Sequence, residues 1–160
     1  MAESFVPQLL ASVPKDELTA RARIRSCEAL EEWCEASGSS QLWDAYAPGD
    51  RFDHPLGVTM EHADDMAAAR LYQNNSRPHF DGFGMRRSQI GQRLVYGGHV
   101  ISVCRALSHD GLENALEILA VNAGTHVSPT LAGDTLYAFT EVVDRFKLPN
   151  RTDVALCACA

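Results

Sequence analysis

Long apolar runs are missing from this sequence: no stretch approaches the ~20 consecutive apolar residues a bilayer-spanning helix needs, which excludes that class of membrane protein. The opening Met1-Ala2-Glu3-Ser4 lacks the basic-then-apolar pattern of a secretory leader, so a cytoplasmic location is expected. Basic residues are also in short supply. Fourteen Lys and Arg face 21 Asp and Glu, a formal net charge of -7. That balance argues against nucleic acid, whose phosphates call for a basic field. It leaves room for an anionic small molecule held by a local group of arginines. The five cysteines (Cys27, Cys34, Cys104, Cys157 and Cys159) are odd in number and scattered. Cys157 and Cys159 form a C-x-C with no nearby His or Cys to complete a zinc site, so no metal is expected. All five are expected as reduced thiols packed like small apolar side chains.

What is present suits one ordinary globular domain: 160 residues, 46% hydrophobic and 22% charged. A first segment, 1–46, reads as an amphipathic helical arm. Pro14 followed by Asp16 and Glu17 makes a helix start, and Ile24, Cys27, Leu30 and Cys34 recur at helical spacing. Ser37-Gly38-Ser39-Ser40 stops it. The main domain, 47–160, opens with a strand over 51–58, broken by Pro55 and Gly57. Thr59 is a candidate N-cap for a helix over 60–71, with Glu61 in its first turn. Irregular polar sequence fills 73–93. Gly97-Gly98 then leads into an apolar stripe of Val100, Ile101, Cys104 and Leu107 that ends at Gly111, which predicts a buried helix.

The rest reads as strands. Residues 115–127 carry apolar side chains on both alternating faces, as in a sheet covered on both sides. A turn over 129–134 leads to a second strand over 135–146, and Pro149-Asn150 turns again into a third over 152–160. Helices followed by antiparallel strands make an α+β plan.

Three stretches together resemble the MaoC-like dehydratase family, a branch of the hotdog fold. The first is Leu71-Tyr72-Gln73-Asn74-Asn75-Ser76-Arg77-Pro78-His79-Phe80-Asp81, where the family's R-specific enoyl-CoA hydratases carry Asp-x-Asn-Pro-x-His. The second is Leu94-Val95-Tyr96-Gly97-Gly98-His99-Val100, placed like the glycine start of the central hotdog helix. The third is Val127-Ser128-Pro129-Thr130-Leu131-Ala132-Gly133-Asp134-Thr135-Leu136, similar to the family's turn between two sheet strands. The wording of the first two, with Asn122-Ala123-Gly124-Thr125-His126-Val127, is nearest to the subgroup that handles mesaconyl-type, dicarboxylic enoyl-CoA thioesters. The likeness runs over roughly residues 48 to 156 and matches the second of the two hotdog halves found there. It fades at Leu156-Cys157-Ala158-Cys159-Ala160, so the domain is expected to stop short of the last hotdog strand.

The resemblance implies a helix wrapped by an antiparallel sheet, and reversible addition of water to an enoyl-CoA. Such a reaction needs a base for water, a proton for the α-carbon and a stabiliser for the enolate oxygen. His79 is placed by the motif for the proton work, for which imidazole is suited near neutrality. Asn74 stands where general members have the catalytic aspartate; its amide can hold a water but cannot take a proton. Asp81, two residues past His79, is a candidate to orient it or share the proton. Gly98, with Gly97 and His99 beside it, falls at a helix start whose free amides suit an oxyanion. Arg77, proline in general members, is a candidate grip on a second carboxylate. Arg93, clustered with Arg86 and Arg87, is a candidate contact for CoA phosphates. Each has a plainer reading: a loop histidine, a solvated carboxylate, packing glycines, exposed arginines.

No cofactor is implied beyond the CoA of the substrate. Hotdog pockets form between two units, so a homodimer or a second hotdog domain is the expected partner. Two rival functions stand beside the hydratase. One is a non-catalytic acyl-CoA-binding or structural half. The other, less favoured, is a hotdog thioesterase, which would need a carboxylate that the helix lacks before Asp110.

Overall fold

A computed structural model describes residues 13–22, 30–115, 117–122, 124–149 and 155–159. Two helices of the N-terminal arm, α1 (Lys15–Arg21) and α2 (Leu30–Ser37), precede strand β1 (Arg51–Thr59). Then come α3 (His62–Leu71), the short α4 (Gly82–Met85) and α5 (Gly97–Leu107), followed by β2 (Thr135–Lys147) and β3 (Ala155–Cys159). The three strands make one antiparallel sheet in the order β1-β2-β3. β2 serves two neighbours in turn. Its first half pairs with β1, from Thr59↔Thr135 to Arg51↔Glu141, and its second half with β3, from Val142↔Cys159 to Lys147↔Ala155.

Burial alternates along β2 as a half-covered strand requires. Thr140 and Val142 are buried, whereas Tyr137, Phe139 and Val143 are exposed. α5 packs against β2 and β1, and α3 packs against α5. Under the sheet, Tyr46, Leu112 and Val142 form a small core that Phe52 joins. The Tyr46 hydroxyl satisfies itself on the Gly111 carbonyl at 2.7 Å. His54, also buried, shares a 2.9 Å hydrogen bond with Thr140 across the ladder.

β1 passes through Pro55 and Gly57 rather than ending there. Pairing halts after His54↔Ala138 and resumes at Val58↔Leu136, so Pro55, Leu56 and Gly57 bulge opposite Tyr137. Proline has no N–H for the ladder, and a bulge removes the need for one. Gly57 is required by packing, because a Cβ there would fall 2.7 Å from the Tyr137 ring. Thr59 is no N-cap. It is the last residue of β1, its hydroxyl 3.0 Å from that of Thr135, and Glu61 precedes α3 without a side-chain cap.

The expected strand over 115–127 is absent among its described residues: 117–122 and 124–127 are in no helix or strand. Ile118, Val121 and Val127 lie exposed. Alternation sets a local preference for extended backbone, but a strand also needs an edge to pair with. Nor is α5 wrapped on all sides. None of its residues is buried, and Ile101 faces outward, because among the described strands only β1 and β2 pack against the helix.

The arm docks through polar contacts. Lys15 pairs with Asp144 at 2.7 Å, and Asn114 donates to the carbonyls of Ser39 and Gln41 at 3.0 and 2.8 Å. Of the apolar stripe expected there, Ile24 and Cys27 lie outside the described residues. Cys34 and Cys104 are half-buried, as small apolar thiols should be, but Cys157 and Cys159 are exposed, with their sulfurs 3.7 Å apart. No helix among the described residues is long and apolar enough to cross a membrane.

Candidate active site

The residues between α3 and α5 build a compact polar corner. A 3-10 turn, Arg77–His79, forms here with Pro78 in its first positions, where a missing N–H does no harm. It leaves His79 half-buried. The His79 Nδ1 lies 3.1 Å from the Leu94 carbonyl, which can only accept. Nδ1 therefore carries a proton, so that in the neutral ring Nε2 is the nitrogen with the lone pair of a base. The imidazole meets the Tyr96 ring edge-on, 5.7 Å between centroids, and Tyr72 tilts against the same ring at 6.3 Å.

Tyr96 is also the residue from which α5 starts. The amides of Gly97 and Gly98 are the first two of the helix and have no carbonyl one turn back to bond, while the dipole makes this end positive. Both glycines leave room that a neighbouring ring occupies. A Cβ on Gly98 would fall 2.6 Å from the Tyr96 ring, and one on Gly97 would fall 2.5 Å from His126 Nε2. His126 thus lies over the helix start, brought there by the 124–127 segment. His126 was not among the candidate residues; only its place in the shared motif pointed toward the site.

The other candidates divide. Asn74 is occupied with its own turn, its Oδ1 accepting from the Ser76 N–H at 2.8 Å. It lines an open hollow of about 390 Å³ with Met66, Ala69, Arg70, Gln73 and Phe80, and His79 is not among the walls. Asp81 does not orient His79. Its Oδ1 accepts from the Gly84 N–H at 2.8 Å, capping α4, and its Oδ2 meets Arg77 Nε at 2.6 Å. The Gly84 amide, and after it the Arg77 guanidinium, holds the Asp81 carboxyl below its ordinary range. Arg77 is 69% exposed, at the rim rather than inside the corner. His99 is a residue of α5, its amide bonded back to the Tyr96 carbonyl at 2.9 Å.

Arg93 departs furthest from expectation. It is 13% exposed and turned inward, with Nη1 3.5 Å from the Asp65 carboxylate and 3.1 Å from the His79 carbonyl. A guanidinium held so is not free to meet CoA phosphates. Arg86 and Arg87 lie instead over the exposed ring of Phe83. Asp65, 2% exposed, accepts the Tyr96 N–H at 2.8 Å. The sequence offered one clue to it: an aspartate on the apolar side of α3 beside Ala68 and Ala69, all three buried.

No family model matches the chain; individual proteins carry the likeness. In the solved structures, a protein from Chloroflexus aurantiacus described as a MaoC domain dehydratase superposes with a TM-score of 0.88 at 43% identity, over 98% of this chain and 44% of that one. The MaoC-like dehydratase from Rhodospirillum rubrum follows the same fold with a TM-score of 0.57 at 26% identity, over 75% of this chain and 82% of that one. The architecture is thus the hotdog fold, an α+β arrangement of helix and antiparallel sheet.

Two curated proteins narrow the likeness. β-Methylmalyl-CoA dehydratase of Chloroflexus aurantiacus is 45% identical over 152 residues, 95% of this chain and 42% of that protein. Mesaconyl-CoA hydratase of Cereibacter sphaeroides is 48% identical over 109 residues, 68% of this chain and 31% of that protein. Over nearly its whole length the chain resembles MaoC-like dehydratases, and it spans less than half the length of these curated relatives.

Proposed function

We propose that the chain is the hotdog unit of a hydratase that reversibly adds water to an enoyl-CoA thioester, with a mesaconyl-type dicarboxylic acyl group as substrate. The observation that carries this reading is the pinned imidazole: Nδ1–H held by Leu94, Nε2 left with its lone pair, beside the start of α5. Nε2 takes a proton from water as the oxygen attacks the β-carbon. The double-bond electrons move to the thioester oxygen, where the Gly97 and Gly98 amides stabilise the enolate. His79 then returns the proton to the α-carbon. One water is consumed and no electrons are gained or lost, so the balance calls for no redox cofactor; in this reading the Gly97 and Gly98 amides do the work a Lewis-acid metal would otherwise do.

Arg77 is the residue for the second carboxylate. Exposed at the rim and paired with Asp81, it would exchange that surface partner, of small worth in water, for the substrate's carboxylate. A second hotdog unit, from another copy or another domain, would close the pocket over the open side of α5 and over residues 117–122 and 124–127, which are in no strand. The cytoplasm suits such an enzyme, since the four free thiols of the described residues stay reduced there.

The rival is a non-catalytic acyl-CoA-binding half. It is favoured by the two carboxylate-position residues, Asn74 and Asp81, both engaged away from His79. Turnover separates the two. The chain is incubated with mesaconyl-CoA or crotonyl-CoA and loss of the enoyl absorbance is followed. Activity that His79→Ala lowers by roughly 10²–10⁴-fold supports the hydratase. Saturable binding of both thioesters with no turnover makes it the binding half.

A further inference from the structure

Asp65 belongs to no motif, yet it is the most deeply buried charge in the described structure. A carboxylate at that depth costs several kcal/mol unless it is paired and hydrogen-bonded. Here both oxygens are used. One accepts the N–H of Tyr96, where α5 begins, at 2.8 Å; the other faces Arg93 Nη1 at 3.5 Å. Arg93 spreads its planar fork over further acceptors. The same Nη1 donates to the His79 carbonyl at 3.1 Å, and Nη2 donates to His62 Nδ1 at 3.2 Å.

One buried ion pair therefore grips the peptide that carries His79 and the amide that opens the glycine helix. An apolar pair of the same volume would be as stable, or more so, but it could not hold two backbone groups at once. We propose that Asp65 and Arg93 are positioning residues: together they fix the placement of the His79 imidazole relative to the Gly97 and Gly98 amides. This rests on the reading of His79 as the base. Neither side chain needs to touch substrate. Their effect is geometric, and a displacement of about 1 Å between base and oxyanion site costs on the order of 10²-fold in rate.

Asp65→Asn and Arg93→Lys test it in the full chain. The first keeps an acceptor for Tyr96 and removes the charge; the second keeps the charge and removes the fork. Each removes one function of the pair and leaves the other. Steady-state hydration of mesaconyl-CoA is expected to show kcat lowered by roughly 10–100-fold with KM within about threefold of the parent. The proton NMR contact between the His79 and Tyr96 rings, read without substrate, is expected to weaken in both variants. An intact ring contact with unchanged kcat overturns the proposal. So does loss of the whole fold in both variants, which would make the pair a stability element only. The base reading fails separately, when the parent chain does not turn over or His79→Ala leaves the rate unchanged. The ring contact then still reports whether the pair positions the imidazole.

Discussion

The corner around His79 and the 117–127 segment both reach the start of α5 yet are held in opposite ways. In the corner, nearly every polar group has a partner close in sequence: Leu94 for the imidazole, Gly84 and Arg77 for Asp81, and Asp65 and His79 for Arg93. The segment has no backbone ladder among its described residues, and Val121 and Val127 are 78% and 90% exposed. The difference teaches that a polar site can close on itself within ~30 residues of chain, whereas an extended apolar segment depends on an edge supplied from elsewhere.

The sharpest way to break that contrast is Asp65→Ala. It strands Arg93 without its carboxylate and the Tyr96 N–H without its acceptor, and should cost about 3–5 kcal/mol in urea unfolding. A loss below about 1 kcal/mol would mean the corner is held by something else. Next comes Met60→Ala, at the joint between β1 and α3. Its side chain is buried, and its backbone bonds both Asp134 and Gly133 at 2.8 Å. The cavity should cost about 2–5 kcal/mol by the same measurement. Hydrogen exchange should then separate the two regions directly. The Val95 amide, bonded to the Thr130 carbonyl at 2.9 Å, should be protected, while amides of 117–122 exchange at nearly the rate of free chain.

Gly97→Ala probes where the two regions meet. The new Cβ drives against the His126 ring, which stands on the exposed segment and can swing away. Stability should change by less than about 1 kcal/mol, the turnover by more than its stability suggests. A large destabilisation would show the segment to be anchored more firmly than its contacts indicate. The smallest effect is that of acid. Asp81 has its folded pKa depressed by Gly84 and Arg77, so its contribution to stability is present above the unfolded carboxylate pKa and is lost as pH falls through the folded one. Asp81→Asn should flatten the acid limb of a stability–pH curve, and an unchanged limb would show that the cap does not survive in solution.

Much of this was legible in the residues. The α5 stripe, the β2 alternation and the turn at Gly133 are local patterns, and their elements lie within a few residues of expectation. Misreadings followed one cause. Thr59 has the chemistry of an N-cap, but its hydroxyl was claimed by Thr135 from 76 positions away. Pro55 and Gly57 signal a break in a strand, but a partner ladder on both sides turned the break into a bulge.

The sequence by itself determined the family likeness, the glycine start of the helix and the place of His79, because these depend on residues adjacent in the chain. Tertiary structure alone decided the rest. It turned Arg93 inward to Asp65 and laid His126 over Gly97. A charged side chain goes to the partner that best offsets its lost hydration, and which partner is in reach is set by how the elements pack, not by spacing along the chain.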